Sequence, residues 1–306
     1  MQIFTENFKS SPYWWEKAPR PKIEIKKVPE KIDVAIIGSG YTGLCAALTL
    51  AKAGCEVVVF DAEDAGWGCS SRNGGQVSTS IKPGFRKLCG QFGEAAATKI
   101  IKEGQNSLNW LKNFIAREKL DCSFKVPGRF FAAHSQREFD RLVANLKAQP
   151  ASLEVKAKLV TRAEQRKELG TDIYHGGAVF ESHASLDPAL YHSALLEKVL
   201  KAGVNIITNC RVKKIRKHNA EFSLDTQLGL FNANKVIVGT NGYTGQLTPW
   251  LSRRVIPIGS YMIATDVLDD DLINELMPTD RVISDTRKVV YYLSLIHISE
   301  PTRLTS

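Results

Sequence analysis

The sequence lacks an apolar run approaching the ~18–20 residues needed to cross a bilayer. Its N-terminus, Met1–Glu6, has no basic region followed by an apolar region, so no secretory signal is visible. The six cysteines form no C-x-x-C pair and have no metal-ligand spacing. We therefore expect reduced thiols, no metal site, no membrane span and a cytoplasmic location.

Concentrated charge is also missing. The net charge is +9, but the basic residues are spread along the chain. Two mild clusters, at Lys22–Lys31 and Arg211–Lys217, are not interleaved with aromatic residues as in a known nucleic-acid module. A diffuse excess of this kind is typical of a solvated surface. The sequence predicts no nucleic-acid partner, and it contains no internal repeat.

The length of 306 residues predicts about two domains. The first 30 residues are irregular, because four prolines there exclude a long helix. These prolines are Pro12, Pro19, Pro21 and Pro29. The aromatic run Tyr13–Trp15 has nothing local to pack on, and the segment is predicted to be an arm that lies on the body of the protein.

A βαβ unit follows the arm. Ile32–Ile37 is a continuous apolar run, as expected of a buried parallel strand. Tyr41–Ala53 predicts a helix that ends at Gly54, and Glu56–Phe60 predicts a second buried strand. This order is typical of a nucleotide-binding α/β domain.

Three glycines in G-x-G-x-x-G spacing lie between the first strand and the helix. Gly38 permits the tight turn, Gly40 allows the backbone to approach a pyrophosphate, and Gly43 allows close packing of helix and strand. Asp61 ends the second strand, where a carboxylate accepts hydrogen bonds from a ribose. A carboxylate repels a 2′-phosphate, so NADP is disfavoured, whereas NAD and FAD are not separated.

The next segment distinguishes between NAD and FAD. Asp64–Ser80 is rich in glycine, serine and asparagine, and within it Gly66–Gln76 reads GWGCSSRNGGQ. A short NAD-type unit would continue into a helix here. A glycine-serine loop with one arginine is instead able to line a long ligand with backbone N–H groups. This favours FAD over NAD as the ligand. The alternative is a flexible surface loop with no role in binding.

Further elements follow along the chain. We predict helical structure over Phe85–Leu120 and Ser135–Ala148, with a strand pair over Phe124–Ala133. Asp187 and Pro188 predict the N-cap and first residue of a helix that runs to Lys201. The predicted later strands are Val204–Thr208, Arg211–Arg216, Glu221–Asp225, Lys235–Gly239 and Val255–Thr265.

The glycine turn, Asp61 and Gly66–Gln76 resemble the FAD-dependent D-amino-acid oxidase family. Within it, the similarity favours the γ-glutamylputrescine oxidase branch, near glycine and sarcosine oxidases. The branch also has an N-terminal arm, matched here by Pro12–Trp15. Later similar segments are VIVGTNGYTGQL at 236–247, the strand after Pro257-Ile258-Gly259 and the pair Tyr291-Tyr292.

The resemblance implies a set of FAD-binding residues. Those implied at the pyrophosphate are Gly38, Ser39, Gly40, Thr42 and Gly43, and Asp61 is implied at the adenosine ribose. Those implied along the diphosphate, ribityl chain and isoalloxazine edge are Ser70, Ser71, Arg72, Asn73, Gly74 and Gly75. Those implied at the adenine and adenosine are Val212, Thr240, Asn241 and Gly242. The set is completed by Tyr41, Ala62, Trp67, Gly68 and Gln76.

The resemblance also implies a reaction. The C–H next to an amine nitrogen delivers hydride to the flavin, O2 reoxidises the flavin, and the imine hydrolyses. The expected partners are a small-molecule amine, similar to γ-glutamylputrescine, and O2. Two alternatives stay open: a flavin-dependent dehydrogenase with another electron acceptor, and a non-catalytic dinucleotide-binding subunit.

No catalytic residue is predicted. The six histidines occur in unrelated contexts, and His183 alone lies near the substrate-domain turn of the family. Tyr291 and Tyr292 alternate along a strand, so only one can face the flavin or substrate.

The expected fold is α/β: a Rossmann-type FAD-binding domain with an α+β substrate domain dominated by a mixed or antiparallel sheet. Residues 1–30 form the arm, 31–85 and about 175–248 the FAD-binding domain, and 86–174 and about 249–293 the substrate domain. Residues 294–306 resemble translated sequencing-adapter sequence, so we expect a non-native tail and a missing C-terminal part of the substrate domain. Such a chain is expected to be poorly soluble and to bind FAD weakly or not at all.

Overall fold

The computed structural model describes residue 6 and residues 8–24, 27–265 and 267–295. Of the predicted non-native tail, only Ser294 and Leu295 belong to the described residues. Within the described part, no helix combines the length and apolar character that a membrane crossing requires. All six cysteines are described, and none of them is in a disulfide bond.

The helices and strands are numbered in chain order. The helices are α1 (Trp14–Lys17), α2 (Tyr41–Lys52), α3 (Phe85–Phe92), α4 (Glu94–Glu118), α5 (Gln136–Lys147), α6 (Pro188–Lys201), α7 (Pro249–Ser252) and α8 (Asp270–Leu276). The strands are β1 (Ile32–Ile37), β2 (Val57–Phe60), β3 (Gln76–Val77), β4 (Arg129–Ala132), β5 (Ala157–Val160), β6 (Gly177–Phe180), β7 (Ala184–Ser185), β8 (Asn205–Ile207), β9 (Val212–His218), β10 (Glu221–Thr226), β11 (Gly229–Val238), β12 (Val282–Asp285) and β13 (Tyr292–Leu293).

The chain divides into two compact units. Unit 1 comprises Met1–Asn73, Leu120–Cys122 and Asp187–Ile263. Unit 2 comprises Gly74–Lys119, Ser123–Leu186 and Ala264–Ser306.

Unit 1 is built on a six-stranded sheet in the order β8-β2-β1-β11-β10-β9. The first four strands in this order are parallel, and β10 and β9 extend the sheet with antiparallel pairing. Side chains of β1 and β2 such as Ile36 and Val58 are fully buried, as expected of central parallel strands. Because α2 crosses from β1 to β2, the predicted βαβ unit is present.

Helix α6 begins as its sequence predicts. The Asp187 carboxylate accepts hydrogen bonds from the N–H groups of Ala189 at 2.9 Å and Leu190 at 3.0 Å, and Pro188 is the first helical residue. The helix then leads through Gly203, which has a φ of +86°, to β8. Helices α6 and α2 pack against each other within unit 1.

Unit 2 contains a five-stranded mixed sheet in the order β13-β12-β4-β6-β5. Strands β12 and β4 are parallel, and the other neighbouring pairs are antiparallel. Its core includes Phe130 and Ile283, which are fully buried. A separate short ribbon pairs β3 with β7. The two units together have the predicted fold class.

The limits of the units differ from the predicted domain limits. Residues 74–85 and 175–186 lie in unit 2 rather than with the βαβ unit. The cause is strand pairing: β3 pairs with β7, and β6 lies between β4 and β5 in the second sheet. Residues 249–263 lie in unit 1.

Two predicted strand assignments are wrong. Phe124–Ala133 contains one strand, β4, because Lys125 bridges to Ser185 instead of pairing within its own segment. Val255–Thr265 contains no strand in the described structure. The strand is predicted only from the alternation of apolar and polar residues, but a strand also needs a hydrogen-bonded neighbour. Side chains such as that of Ile258, which is 87% exposed, are open to solvent.

Candidate dinucleotide site

The glycine-rich turn joins β1 to α2. Gly38 has a φ of +104°, and a Cβ there would lie 2.7 Å from the carbonyl oxygen of Gly239. A Cβ on Gly43 would lie 1.9 Å from the carbonyl oxygen of Gly38. Gly40 is the N-cap of α2 and offers no side chain to occupy the end of the helix. The turn therefore presents the partial positive charge of the helix N-terminus to a ligand.

Asp61 is fixed directly after β2. Its Oδ2 accepts hydrogen bonds from the N–H of Ser39 at 2.7 Å and from the hydroxyl of Ser39 at 2.6 Å. Its Oδ1 accepts from the N–H of Glu63 at 3.0 Å. Two carboxylate oxygens offer about four acceptor positions. The carboxylate thus orders the glycine turn and keeps acceptor capacity for a ligand hydroxyl.

The loop Gly66–Asn73 is folded on itself and on the start of α2. The hydroxyl of Ser71 donates to the carbonyl oxygen of Gly66. The amide of Asn73 donates to the carbonyl oxygen of Ser70 at 3.3 Å, and the Ser70 hydroxyl accepts from the N–H of Tyr41 at 3.1 Å. These contacts hold the loop in a defined conformation against the start of α2.

The N-terminal arm packs against this loop, as predicted. The indole nitrogen of Trp14 donates to the carbonyl oxygen of Asn73 at 3.0 Å, and that of Trp15 donates to the hydroxyl of Ser71 at 2.7 Å. The guanidinium of Arg20 lies 4.1 Å from the centre of the Trp15 ring system. The arm is thus joined to the loop by directional contacts.

His192 supports the turn and the loop from α6. Its Nε2 lies 2.7 Å from the carbonyl oxygen of Ser39 and donates to it, because a carbonyl only accepts. A Cβ on Gly66 would lie 2.7 Å from the imidazole ring, so the ring closes that space. Burial lowers the pKa of His192, and the hydrogen bond to Ser39 opposes this shift. Sequence reasoning missed this role, although His192 lies on the buried face of a correctly predicted helix.

These elements surround a cavity of about 750 Å³ that lies entirely within unit 1. Thirteen of the predicted cofactor-binding residues line it: Gly38, Gly40, Tyr41, Thr42, Asp61, Ala62, Trp67, Gly68, Ser70, Asn73, Val212, Thr240 and Asn241. The size falls within the usual range of ~300–1,000 Å³ for ligand sites. The predicted ribose and pyrophosphate positions therefore meet in one cavity.

The other predicted residues do not line this cavity. Ser39, Gly43 and Ser71 support the turn and loop from behind, and Ser39 is fully buried. Arg72 and Gly242 lie beside lining residues. Gly74, Gly75 and Gln76 belong to unit 2. In unit 2, the amide of Gln76 donates to the carbonyl oxygens of Ile283 and Leu293, at 3.1 Å and 3.0 Å.

Sequence reasoning also missed part of the wall. The additional lining residues are Ile37, Glu63, Gly66, Cys69, Arg211, Val238, Gly239, Tyr243, Thr244 and Leu247. Glu63 and Arg211 form an exposed ion pair of 3.2 Å. Trp67 and Tyr243 meet edge to face with ring centres 5.8 Å apart, and the guanidinium of Arg72 lies 4.5 Å from the centre of Trp67. These residues are recognised as part of the cavity wall only from their position in the fold.

The residues considered for a substrate role all lie in unit 2. His183 is buried, and its Nε2 lies 2.9 Å from the Thr79 hydroxyl. Tyr291 is 60% exposed. A Cβ on Gly74 would lie 2.9 Å from the ring of Tyr292, so this tyrosine packs on the glycine.

The family comparison agrees with this geometry. The model of the DAO family, described as FAD dependent oxidoreductase, matches residues 33–297. The chain belongs to this family. The predicted family is thus confirmed, and with it FAD as the cofactor on which the family depends. The match includes the glycine turn, Asp61 and the Gly66–Asn73 loop.

Two curated relatives align with most of the chain. Probable oxidoreductase OrdL of Rhizobium meliloti is 30% identical over 286 residues, which are 92% of this chain and 66% of OrdL. Gamma-glutamylputrescine oxidoreductase of Escherichia coli is 29% identical over 268 residues, 86% of this chain and 62% of that protein. The chain therefore spans less than two thirds of the length of these relatives.

A solved structure shows the same fold. The crystal structure of L-proline dehydrogenase from P. horikoshii matches with a TM-score of 0.66 at 20% identity, covering 88% of this chain and 68% of that chain. The likeness concerns the fold alone. The fold, the family match and the cavity together make the pocket of unit 1 the candidate dinucleotide-binding site.

The residues present fit one half of FAD. The pocket is lined by the glycines and the helix N-terminus suited to a pyrophosphate, and by the Asp61 carboxylate suited to a ribose. The glycines are required by space, since a Cβ at Gly43 would clash with Gly38 at 1.9 Å. The donor and acceptor set thus matches an ADP group.

Proposed function

We propose that this protein is a flavin-dependent oxidoreductase that oxidises the C–N bond of a small amine or amino acid, with unit 1 holding the ADP half of FAD. The single observation that carries the proposal is the meeting of the glycine turn and Asp61 in one cavity. The name of the gamma-glutamylputrescine oxidoreductase supports an amine substrate. When bound, FAD supplies the hydride acceptor.

Residues of unit 1 take binding roles in this proposal. The turn from Gly38 to Thr42 and the N-terminus of α2 bind the pyrophosphate. Asp61 accepts hydrogen bonds from the ribose hydroxyls, and Ser39 and His192 hold the turn in place. Val212, Thr240 and Asn241 contact the adenosine end, and the Gly66–Asn73 loop covers the diphosphate.

Residues 74–76 are predicted to continue along FAD toward its flavin ring. A small amine is the proposed substrate and O2 the proposed electron acceptor. A cytoplasmic location is proposed, because none of the six described cysteines is in a disulfide bond.

Cofactor binding is tested first, on the 306-residue chain. FAD is added stepwise to the purified chain, and the change in flavin fluorescence gives a dissociation constant. NAD and NADP are titrated in parallel. The proposal expects FAD to bind and NADP not to bind, because Asp61 repels a 2′-phosphate. A chain that binds NAD and not FAD contradicts it.

Substrate oxidation is tested on the product of the complete source gene. Amines and amino acids, γ-glutamylputrescine among them, are added to the flavin-loaded protein without oxygen, and bleaching of the yellow flavin absorbance is followed. The proposal expects bleaching by at least one amine and rapid recovery of colour in air. Bleaching without recovery in air identifies a dehydrogenase. No bleaching by any amine contradicts the proposal.

A further inference from the structure

Arg129 is a buried cation at the start of β4. Its side chain is 9% exposed, and its guanidinium lies over the rings of Phe131 at 4.9 Å and Phe180 at 5.4 Å. Its Nη2 donates to the hydroxyl of Ser80 at 2.9 Å, and its Nε has no hydrogen-bond partner. Among the described residues, no carboxylate forms an ion pair with it.

The charge of Arg129 persists at neutral pH. Burial lowers the pKa of its guanidinium to about 10, and burial is the only cause of this shift. A nearby carboxylate would raise the pKa instead. A buried cation is normally paired or ligated, since desolvation of an unpaired charge is strongly unfavourable.

His183 is a second buried donor near Arg129. The N–H of Thr79 donates to its Nε2 at 3.3 Å, so the ring proton is on Nδ1, and Nδ1 has no partner. Burial, and then the charge of Arg129, lower the pKa of His183 to about 3. The ring is therefore neutral, and it stacks on Phe180 with ring centres 5.0 Å apart.

Ser284 is a third such group on the same side of the sheet. Its side chain is buried, and its Oγ has no partner. Ser284 is opposite Phe131 in the register of β12 and β4, and Phe180 is opposite Arg129 in the register of β6 and β4. Cross-strand partners share a face, as do residues two apart along a strand, so Arg129, Ser284 and Phe180 lie on one face.

We propose that Arg129, His183 and Ser284 form a binding site for the carboxylate group of a small molecule. The three groups provide hydrogen-bond donors, and Arg129 Nε, His183 Nδ1 and Ser284 Oγ have no acceptor in the structure. A ligand with acceptors and a negative charge supplies the missing acceptors and pairs with the positive charge of Arg129. Because Arg129 carries the only charge of the three, a monoanionic carboxylate matches the site better than a dianionic phosphate. The site lies in unit 2 and does not depend on the dinucleotide pocket of unit 1.

The proposal has a consequence for stability. Replacing an unpaired buried cation by an apolar side chain of similar length removes the desolvation penalty. Arg129→Met is therefore expected to stabilise the anion-free chain and to abolish carboxylate binding. A structural role through Ser80 predicts the opposite, namely that Arg129→Met lowers stability.

The test compares unfolding of wild type, Arg129→Met and Arg137→Met without FAD. Arg137 lies exposed at the start of α5, so Arg137→Met is the matched control. Each protein is unfolded by urea in a buffer free of carboxylate and phosphate, and then with increasing acetate or inorganic phosphate at constant ionic strength. Acetate is expected to raise the urea midpoint of wild type and of Arg137→Met in a saturable way, with the dissociation constant at least about tenfold higher for Arg129→Met.

Three outcomes overturn the proposal: acetate has an equal effect on Arg129→Met and wild type, phosphate binds more tightly than acetate, or Arg129→Met is less stable than wild type without anion. Arg129→Lys and Ser284→Ala are measured alongside Arg129→Met. Both are expected to weaken acetate binding severalfold, and unchanged binding in both contradicts the site. FAD binding is measured on the same proteins, so a failure of the proposed dinucleotide function is recognised separately.

Discussion

The indole nitrogen of Trp15 donates a 2.7 Å hydrogen bond to the hydroxyl of Ser71, which itself donates to the carbonyl oxygen of Gly66. This chain of two hydrogen bonds fixes the start of the Gly66–Asn73 loop to the N-terminal arm. The loop supplies part of the wall of the dinucleotide pocket. The arm therefore acts on the pocket without lining it.

Trp15→Phe is expected to weaken FAD binding about fivefold, because a hydrogen bond of this kind contributes ~1 kcal/mol. The measurement is an FAD titration of the wild type and the variant. Trp110→Phe is the control, since Trp110 lies 53% exposed on α4 in unit 2. Equal FAD affinity for Trp15→Phe and Trp110→Phe would show that the arm does not position the loop.

Gly43→Ala is expected to destabilise unit 1 by ~1–3 kcal/mol, the usual effect of overpacking. The added Cβ would lie 1.9 Å from the carbonyl oxygen of Gly38, a backbone atom that cannot turn away. FAD binding should be lost with it. Urea unfolding and the FAD titration measure the two effects. Gly90→Ala in α3 is the control, because a Cβ there has no neighbour within 4 Å. The control should be neutral or stabilise the helix, and two variants of equal stability would contradict the clash.

Acid is expected to destabilise the protein through its buried histidines. The folded-state pKa values of His192 and His183 lie below the ordinary value of 6.5, and that of His183 is about 3. The unfolded chain therefore binds more protons, so the stability from each neutral ring is complete above pH ~6.5 and is lost as the pH falls below it. Each histidine can contribute a slope of at most ~1.4 kcal/mol per pH unit, the slope of one proton.

The variant His192→Gln tests how much of this pH dependence of stability comes from the His192 ring. Urea unfolding at pH 7.5, 6.0 and 5.0 should show a shallower loss of stability for this variant than for wild type. His218→Gln is the control, because His218 is exposed at the end of β9. A slope for His192→Gln equal to that of the control would mean that His192 is not held neutral.

Ile256→Lys and Ile258→Lys together are expected to raise solubility without loss of stability. The two side chains are 83% and 87% exposed, in a segment where Tyr261 and Ile263 are also open to solvent. Exposed apolar patches of this kind promote association, whereas exposed substitutions usually change stability by less than ~0.5 kcal/mol. Light scattering and urea unfolding provide the readouts. A loss of more than ~1 kcal/mol would show that the segment packs on the protein in solution.

The sequence predicts the β1–α2–β2 unit well because the decisive signals there are local. Apolar runs, three glycines and one acid occur within 30 residues, and each acts on its near neighbours. Asp187 and Pro188 predict the start of α6 for the same reason. Such signals do not require knowledge of the rest of the fold.

Contacts between distant segments were not predictable. Trp15 and Ser71 are 56 positions apart, and His192 and Ser39 are 153 apart. Nothing in a local pattern tells which tryptophan or histidine meets which loop. Val255–Thr265 shows the reverse error, since its alternation suggested a strand and no pairing partner is present in the described structure. The place of residues 74–85 in unit 2 likewise depends on the pairing of β3 with β7, which is non-local.

The parallel pairing of β1 with β11 has a consequence for biosynthesis. Its register joins Ile32 to Ala233, about 200 positions later, and such distant pairings slow folding. The glycine turn also depends on the late strand, because Gly38 approaches the carbonyl oxygen of Gly239. The motif that leaves the ribosome among the first is thus completed only when most of the chain has been made. Until then its apolar strands are without their final neighbour, so we expect the nascent chain to need protection from aggregation over that interval.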